Sequence, residues 1–226
     1  MAIGRLQFKG VHEPSPVRKS LMMVAFAIAI TAAAWLMFLA PHSQRVNGNI
    51  ARQIILLACA LVYAARVAVM LFVFLKRRIP WWESLFGCIL MPLVVFYFVT
   101  VGGESNRPLD LFDLIGAALY VLGSYLSTAS ELGRHRWKRR PENRGHLYTR
   151  GLFARCRHIN YFADIVLFTG FALITQYSWS LIVPLIMLIS FVAWVVPAHD
   201  KYLADRYGEE FADYTRRAKR LVPFVY

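Results

Sequence analysis

Long apolar runs separated by short polar connections constrain this chain more than any other feature of its sequence. Six such runs can be drawn, at residues 21–40, 53–75, 83–102, 111–130, 161–175 and 179–198. Most of them approach the roughly 20 apolar residues that an α-helix needs to cross the hydrocarbon core of a bilayer. Hydrophobic residues make up 58% of the 226, and the mean hydropathy of +0.46 exceeds that of ordinary soluble domains. The sequence therefore predicts an all-α fold, a polytopic membrane bundle of about six transmembrane helices.

We expect one integral membrane domain over residues 1–226 rather than separate soluble domains. Within it, residues 1–125 are predicted to form the spans on the substrate side, and residues 126–226 the cofactor-binding part. This division follows the polar residues, because four of the six histidines and most of the arginines come after residue 125. The fourth run contains Gly116, Gly123 and Ser124, which are predicted to be small packing positions. The fifth run is short for a full crossing, so it either tilts or pairs with the sixth as a hairpin. The first run is too long for a signal-peptide core and is predicted to be a retained span.

Lysines and arginines alternate between rich and poor connections. The N-terminal segment carries four of them (Arg5, Lys9, Arg18 and Lys19), the loop after the second run three, residues 131–160 nine, and the tail after residue 200 six. The three other connections hold Arg45, Arg52 and Arg107 between them. Because cytoplasmic connections of membrane proteins are enriched in Lys and Arg, both termini and the two basic loops are predicted to face the cytoplasm.

The formal net charge of +13 first suggests a nucleic-acid partner. The arginines, however, cluster beside membrane spans, where they orient the chain and attract anionic lipid headgroups or an anionic cofactor. We therefore expect a lipid membrane and no nucleic acid as partner. The three cysteines show no paired spacing, and the histidines lack the close pairing of helical metal ligands, so neither a disulfide framework nor a metal site is expected.

A polar cluster stands at the mouth of the fifth run. Arg157, His158, Asn160 and Tyr161 open it, and Asp164 follows about one turn later. An ionisable residue at the start of a membrane segment is a functional-site hypothesis by default. The helix dipole could account for Asp164 and an N-cap role for Asn160, but neither explains the adjacent Arg, His and Tyr. We interpret the segment as a binding site.

A basic run follows Glu131 at the end of the fourth apolar run and extends over residues 134–140. Arginine forks bind phosphate with two parallel hydrogen bonds. The same run would also serve as an ordinary cytoplasmic anchor. Both interpretations stay open for the run taken by itself.

The sixth apolar run ends at His199 and Asp200, ahead of a charged tail. The tail is predicted to be an amphipathic surface helix with Tyr202, Phe211 and Tyr214 turned toward the membrane or toward the fold. Earlier in the chain, Glu83 lies at a predicted cytoplasmic membrane edge. It is either a solvated flanking residue, or a proton donor or polar contact in a substrate pocket.

These blocks, in this order and spacing, resemble the membrane superfamily that joins steroid 5α-reductases, sterol reductases and isoprenylcysteine carboxyl methyltransferases. The resemblance covers about residues 130–226 and looks closest to the C-terminal domain of the steroid 5α-reductases and its uncharacterised bacterial relatives. The residues that carry it are Ser130-Glu131 (Ser-Asp in the family), Arg139-Arg140-Pro141, Gly151-Leu152-Phe153, Asn160-Tyr161, Asp164, His199, Tyr202-Leu203 and Pro223-Phe224. Arg157 to Asp164, Asp200, Tyr207-Gly208 and Pro223 to Tyr226 also look similar to sterol reductases.

The resemblance implies hydride transfer from NADPH to the carbon–carbon double bond of a lipid or steroid-like enone that enters from the bilayer. The charge pattern places the predicted active site on the cytoplasmic face, and the resemblance to bacterial relatives predicts a bacterial inner membrane. The predicted cofactor contacts are Glu131, Arg134, Arg139, Tyr148, Arg157, His158, Asn160, Tyr161, Asp164, His199, Asp200, Tyr202 and Tyr214. The predicted catalytic residues are Glu83 and Tyr161. The N-terminal substrate motif of the family, with its Gln-Glu pair, is not recognisable here.

The alternative is methyl transfer from S-adenosylmethionine, because the methyltransferases of this superfamily share the Arg-His-x-x-Tyr pattern. They typically carry a Glu-Glu pair just before the tail motif. This chain has His199-Asp200 there, and its Glu209-Glu210 pair follows Gly208 instead. That departure, together with the many arginines, favours the reductase. The substrate and the oligomeric state stay open at this point.

Overall fold

The computed structural model describes residues 15–225, and its regular structure is helical throughout that range apart from one isolated bridge between Cys156 and Lys219. The helices are α1 (Pro16–Phe38), α2 (Ile50–Val69), α3 (Trp81–Gly103), α4 (Leu111–Lys138), α5 (Ile159–Ile174), α6 (Ile182–Ser190), α7 (Val196–Tyr207) and α8 (Glu209–Arg217). A π-helical turn at Met70–Phe74 continues α2, and another at Phe191–Val195 joins α6 to α7. Arg5, Lys9 and Tyr226 lie outside the described residues.

Five helical stretches of the described chain are long and apolar enough to cross a membrane. They are Pro16–Phe38, Ile50–Phe74, Trp81–Gly103, Leu111–Lys138 and Ser178–Tyr207. The predicted fifth run is the 16-residue helix α5, which rises about 24 Å and is shorter than a typical hydrocarbon core. The last crossing is longer than predicted, because helical turns continue on both sides of the apolar run. The prediction of an all-α, polytopic membrane bundle is confirmed.

The chain forms two compact units that share α4 and α5. We call residues 121–167 and 184–225 the C-terminal unit, and residues 15–120 and 168–183 the N-terminal unit. All of the predicted cofactor contacts belong by position to the C-terminal unit, whereas Glu83 belongs to the N-terminal unit. The assignment of residues 1–125 to the substrate side stays a prediction.

Aromatic side chains form the core of the N-terminal unit. Phe98 of α3 lies between Phe168 and Phe171 of α5, with ring centroids 6.2 and 5.1 Å apart in edge-to-face geometry. Tyr63 of α2 extends the stack to Phe26 and Phe168, at 5.8 and 5.2 Å. Edge-to-face pairs of this kind add to the free energy gained from apolar burial.

A buried ion pair organises one end of the N-terminal unit. Arg52 is fully buried and donates from Nε and from one terminal nitrogen to the two carboxylate oxygens of Asp113, at 2.9 and 2.7 Å. Its remaining donors reach the carbonyl oxygens of Ser105, Arg107 and Pro108 at 2.9–3.2 Å. The loop between α3 and α4 is therefore folded around one guanidinium group.

Small residues let α4 and α5 approach closely, as predicted for Gly116 and Gly123. In the C-terminal unit, a Cβ atom on Gly123 would lie 2.5 Å from the amide nitrogen of Leu167. In the N-terminal unit, a Cβ atom on Gly116 would lie 2.8 Å from the carbonyl oxygen of Gly170. Larger side chains at either position would separate the two helices.

Candidate cofactor site

The segment before α5 is fixed by the C-terminal tail. The amides of Arg157 and His158 donate to the carbonyls of Lys219 and Arg220 at 2.8 and 3.2 Å, and the amide of Lys219 donates back to Arg155 at 3.1 Å. This short strand-like pairing satisfies backbone groups that would otherwise be buried and unpaired. It brings the predicted binding segment and the tail, far apart in sequence, into one structure.

Asp200 is the hub of the polar cluster in the C-terminal unit. One of its carboxylate oxygens lies 2.7 Å from Nε2 of His158, and the other accepts a hydrogen bond from Nε of Arg220 at 2.9 Å. The guanidinium of Arg157 lies 3.7 Å from the same second oxygen. We call Arg157, His158, Asp200 and Arg220 the Asp200 cluster. It joins the mouth of α5, the helix α7 and the tail.

The contact with Asp200 fixes the protonation pattern of His158. A carboxylate accepts hydrogen bonds, so Nε2 of His158 carries a proton. The ring is buried, with 1% of its surface exposed, and its Nδ1 has no partner within residues 15–225. Nε of Arg157 is likewise buried without a partner among the described atoms. The cluster thus has internal hydrogen bonds and also unused polar atoms.

An aromatic stack extends from His158. Tyr161 lies nearly parallel to the His158 ring, with centroids 5.5 Å apart. Its hydroxyl is 3.4 Å from Nδ1 of His199, and His199 in turn stacks on Tyr202. Arg206 donates to the hydroxyl of Tyr202 at 2.6 Å. The structure therefore brings together His158, Tyr161, His199 and Tyr202, which the sequence placed in two separate blocks.

Glu131 and Arg134 form an ion pair one turn apart on α4. The side chain of Glu131 is buried, and Oε1 of its carboxylate has no partner in the described part of the chain. The charge of Arg134 also acts on His199, so this pair belongs to the same electrostatic environment as the stack. One oxygen of a buried carboxylate is left to accept a hydrogen bond.

The tail helix α8 packs on the fold. Phe211 and Tyr214 are buried in a cluster with Leu147, which decides between the two predicted orientations of this amphipathic helix. The hydroxyl of Tyr214 donates to the carbonyl of Phe153 at 2.5 Å, and burial raises the pKa of Tyr214 above its ordinary value. Tyr148 contributes its ring, 5.6 Å from that of Phe153. Tyr148 and Tyr214 therefore stabilise the position of the binding segment by their contacts with Phe153.

Cys156 lies beneath the same segment. It is fully buried, and its thiol donates to the carbonyl of Leu221 at 3.0 Å. Burial raises the pKa of the Cys156 thiol to about 11, so it stays protonated near neutral pH. Cys156 is therefore a small core residue of the C-terminal unit.

Arg139, Asn160 and Asp164 are three predicted contacts that lie outside the Asp200 cluster. Arg139 is exposed, and within residues 15–225 its side chain makes no hydrogen bond or ion pair. Asn160 is half-buried and lies inside α5, which begins at Ile159, so it is not the N-cap of that helix. Asp164 lies further along the first turns of α5 and is half-buried. Their roles as cofactor contacts stay predictions.

Glu83, the predicted catalytic acid, is held by an ion pair in the N-terminal unit. Arg77 donates to both of its carboxylate oxygens, at 2.8 and 2.5 Å. The carboxylate is thereby engaged as an acceptor. This ion pair gives Glu83 a structural role, because it holds the loop after α2 against the start of α3.

Arg220 is the site residue that sequence reasoning missed. It lies in a basic tail where five other cations surround it, and no local pattern distinguishes it from them. The signal that could have found it is the pairing of the tail with residues 155–158, which exists only in the folded chain.

Comparison with known proteins gives a family and one named relative. A protein named Probable O-methyltransferase ustE, from Ustilaginoidea virens, is 30% identical over 106 residues. The aligned region covers 46% of this chain and 37% of the relative, so the chain spans well under half of that protein. The model of the DUF1295 family, described as a protein of unknown function, matches residues 82–218, more than half of the chain. The matched region contains the whole Asp200 cluster except Arg220. Because the match covers more than half of the chain, the protein belongs to the DUF1295 family, which is associated with steroid 5α-reductase-like membrane proteins.

Proposed function

We propose that the protein is a membrane-embedded, NADPH-dependent reductase of a carbon–carbon double bond conjugated to a carbonyl, in a lipophilic, steroid-like substrate taken from the bilayer. The observation that supports this function is the Asp200 cluster, in which one partly exposed carboxylate holds the buried His158 and two arginines. The association of the family with steroid 5α-reductase-like proteins agrees with it.

The unused polar atoms of the site match the groups of a dinucleotide. Nε of Arg157 offers a donor to a phosphate or amide oxygen, and Oε1 of Glu131 can accept from a ribose hydroxyl or a carboxamide. Nδ1 of His158 can accept from a hydroxyl when the ring is neutral. Because a buried polar atom without a partner is costly, such atoms favour a ligand that supplies the missing hydrogen bonds.

The charge of the region favours an anionic cofactor. Residues 131–160 contain nine Lys and Arg but only two acidic residues, Glu131 and Glu142. NADPH carries phosphate groups, whereas S-adenosylmethionine carries a sulfonium cation and no phosphate. Arginine side chains complement phosphate oxygens in geometry and charge. The excess of positive charge in residues 131–160 therefore stabilises a bound dinucleotide and repels the sulfonium of S-adenosylmethionine.

The residues of the chain then have distinct tasks. Bound NADPH supplies a hydride to the β-carbon of the enone, and the reaction needs a proton for the α-carbon. The hydroxyl of Tyr161, in hydrogen-bonding range of His199, is our candidate for the proton donor. We prefer it to Glu83, because Arg77 already occupies both oxygens of that carboxylate.

One observation favours a second function, methyl transfer from S-adenosylmethionine. The relative from Ustilaginoidea virens carries the name of a probable O-methyltransferase. In this alternative, Glu131 and the stack of Tyr161, His199 and Tyr202 would face the sulfonium cofactor, since carboxylates and aromatic faces attract cations. The arginines would then act as membrane anchors.

Calorimetry on the full chain in detergent separates the two functions. We expect NADPH to bind and S-adenosylmethionine not to bind. Arg139→Ala should weaken NADPH binding about three- to tenfold, as expected for one exposed phosphate contact, and this loss should shrink as salt is raised. The matched control is Arg107→Ala, which removes an exposed arginine from the N-terminal unit and should leave binding unchanged.

The opposite pattern, in which S-adenosylmethionine binds and NADPH does not, would overturn the reductase. A second measurement is the oxidation of NADPH, followed by its absorbance, with an enone-containing steroid in mixed micelles. Tyr161→Phe should keep NADPH affinity and reduce turnover by about 100-fold or more, the usual size of a general-acid contribution. Equal loss of affinity and turnover would place Tyr161 among the binding residues instead.

A further inference from the structure

The N-terminal unit contains an open cavity of about 480 Å³ that the proposed reaction does not use. It lies where α3 ends and where the turn after α5 leads into the 3₁₀ turn Ser178–Leu181. Tyr97, Glu104, Gln176, Tyr177 and Trp179 are among the residues that line it. By the charge pattern, this is the end of α3 predicted to be on the non-cytoplasmic side of the membrane.

The side chains that line the cavity carry a negative charge and include several aromatic rings. Among residues 15–225, Glu104 is the only charged residue that lines the cavity, and no lysine or arginine of that range does. Three aromatic residues, Tyr97, Tyr177 and Trp179, complete the wall. A carboxylate among aromatic rings attracts a cation, because the ring faces are electron-rich and add to the charge interaction.

Most of the other polar groups in the wall are already hydrogen-bonded. The side-chain amide of Gln176 donates to Asp110 at 2.8 Å, and the hydroxyl of Thr175 donates to Ser180 at 2.8 Å. The hydroxyl of Ser105 accepts from Arg52 at 3.0 Å. Within residues 15–225 the carboxylate of Glu104, by contrast, has no ion pair and no side-chain hydrogen bond.

The same contacts make the wall rigid before any ligand arrives. Gln176 and Ser105 are both tied to the buried pair of Arg52 and Asp113, since the amide of Gln176 also lies 3.2 Å from Asp113. Preformed sites lose little conformational entropy on binding. The exposed rings of Tyr177 and Trp179 stand at the mouth, 46% and 66% exposed, in the kind of position aromatic residues take at a membrane–water interface.

We propose that this cavity binds an ammonium group, with Glu104 as its counter-charge and Tyr97, Tyr177 and Trp179 as its aromatic wall. The group is a primary or quaternary amine at the membrane surface. Two sources share that chemistry, the headgroup of a zwitterionic phospholipid and a small soluble amine. An anionic ligand is disfavoured, because Glu104 would repel it and no cation in the wall would hold it.

The test uses the full chain in detergent and in lipid nanodiscs. In detergent, tetramethylammonium and ethanolamine are titrated by calorimetry against the unmodified protein, Glu104→Gln and Trp179→Leu. We expect binding to the unmodified protein and an affinity about two- to fivefold lower in each variant, since an exposed cation–aromatic or ion-pair contact contributes about 0.5–1 kcal/mol. Glu142→Gln, which neutralises an exposed carboxylate of the C-terminal unit, is the matched control and should bind normally.

In nanodiscs, native mass spectrometry compares the retention of phosphatidylethanolamine with that of phosphatidylglycerol. Preferential retention of phosphatidylethanolamine that is lost in Glu104→Gln supports a lipid headgroup as the source. Binding of soluble amine without lipid preference supports a small-molecule amine. Absence of amine binding, or binding that Glu104→Gln and Trp179→Leu leave unchanged, overturns the proposal. Thermal unfolding of both variants in detergent confirms that the exposed substitutions leave the fold intact.

Discussion

Each unit contains a cluster of arginine and aspartate, fully buried only in the N-terminal unit, and the two clusters use their hydrogen bonds differently. In the N-terminal unit, Arg52 directs its Nε and both terminal nitrogens to Asp113 and to the loop between α3 and α4. In the C-terminal unit, Asp200 is saturated, but Nε of Arg157 and Nδ1 of His158 have no partner in the described chain. The first cluster is complete without a ligand, whereas the second offers polar atoms to one.

The difference teaches how to separate a structural ion pair from a binding site. Removing one partner of a buried pair leaves an uncompensated charge, so a complete cluster is revealed by loss of stability. An incomplete cluster already contains unpaired polar atoms, so its substitution should be revealed mainly by loss of ligand. The following predictions test this contrast, in order of decreasing effect.

The largest effect is expected for Asp113→Asn. It leaves the fully buried Arg52 without its counter-charge, which should lower the free energy of unfolding by about 3–5 kcal/mol. Thermal or denaturant unfolding in detergent measures this. Asp205→Asn, an exposed acid on α7, is the control and should change stability by less than about 0.5 kcal/mol. Similar stability of the two variants would show that the Arg52 cluster is not structural.

Asp200→Asn should act on the cofactor more than on the fold. Two or three charge-assisted contacts weaken together, so NADPH affinity should fall about 10- to 100-fold. The loss of stability should be smaller than for Asp113→Asn, because the Asp200 side chain keeps 13% of its surface exposed and its amide can still meet Arg220. If Asp200→Asn unfolds the protein as much as Asp113→Asn while leaving NADPH affinity intact, the contrast between the clusters is wrong.

Glu131→Gln tests the unpartnered carboxylate oxygen. The amide keeps the size of the side chain, so unfolding should change little, and NADPH affinity should fall about fivefold, because the amide oxygen accepts only a neutral, weaker hydrogen bond. Titration of the cofactor measures this against the exposed control Glu142→Gln. An unchanged affinity would remove Glu131 from the site and leave it as the ion-pair partner of Arg134.

The smallest effect is expected for Tyr214→Phe, which deletes one buried hydrogen bond behind the site. The cost should be about 1 kcal/mol. Because burial raises the pKa of Tyr214 above its ordinary value of about 10, the folded state favours the protonated hydroxyl. This stabilisation is complete below pH 10 and is lost as the pH rises above it, toward the folded pKa. The stability difference between the two proteins should therefore shrink above pH 10, and denaturant unfolding at pH 8 and pH 10.5 measures it.

Much of the architecture followed from local patterns. Apolar length predicted the helical membrane bundle, and small residues predicted close helix packing at Gly116 and Gly123, where the structure places α5 against α4. These predictions succeed because helix length and side-chain size act on neighbouring residues, which a single sequence displays directly. The polar segment around His158 was also recognised locally, because ionisable residues are rare at the mouth of an apolar run.

Local sequence patterns could not predict the contacts between distant segments of the chain. Neither the pairing of Asp200 with Arg220 nor the burial of Arg52 against Asp113, which are 61 residues apart, has a local signal. Glu83 illustrates the same limit, because its ion pair with Arg77 depends on how the loop after α2 folds back on α3. Charge counts identify which residues can pair, and only the fold selects among them.

For this protein, the sequence by itself determined a helical membrane bundle, its cation-rich segments and the blocks that resemble reductases and methyltransferases. The tertiary structure decided which of the many cations become buried, which acid holds them and which polar atoms stay unused. The physical reason is that the length of an apolar run is visible in the sequence and directly predicts a helix that crosses a membrane. The free-energy cost of burying a charge instead depends on partners that only folding brings within hydrogen-bonding distance.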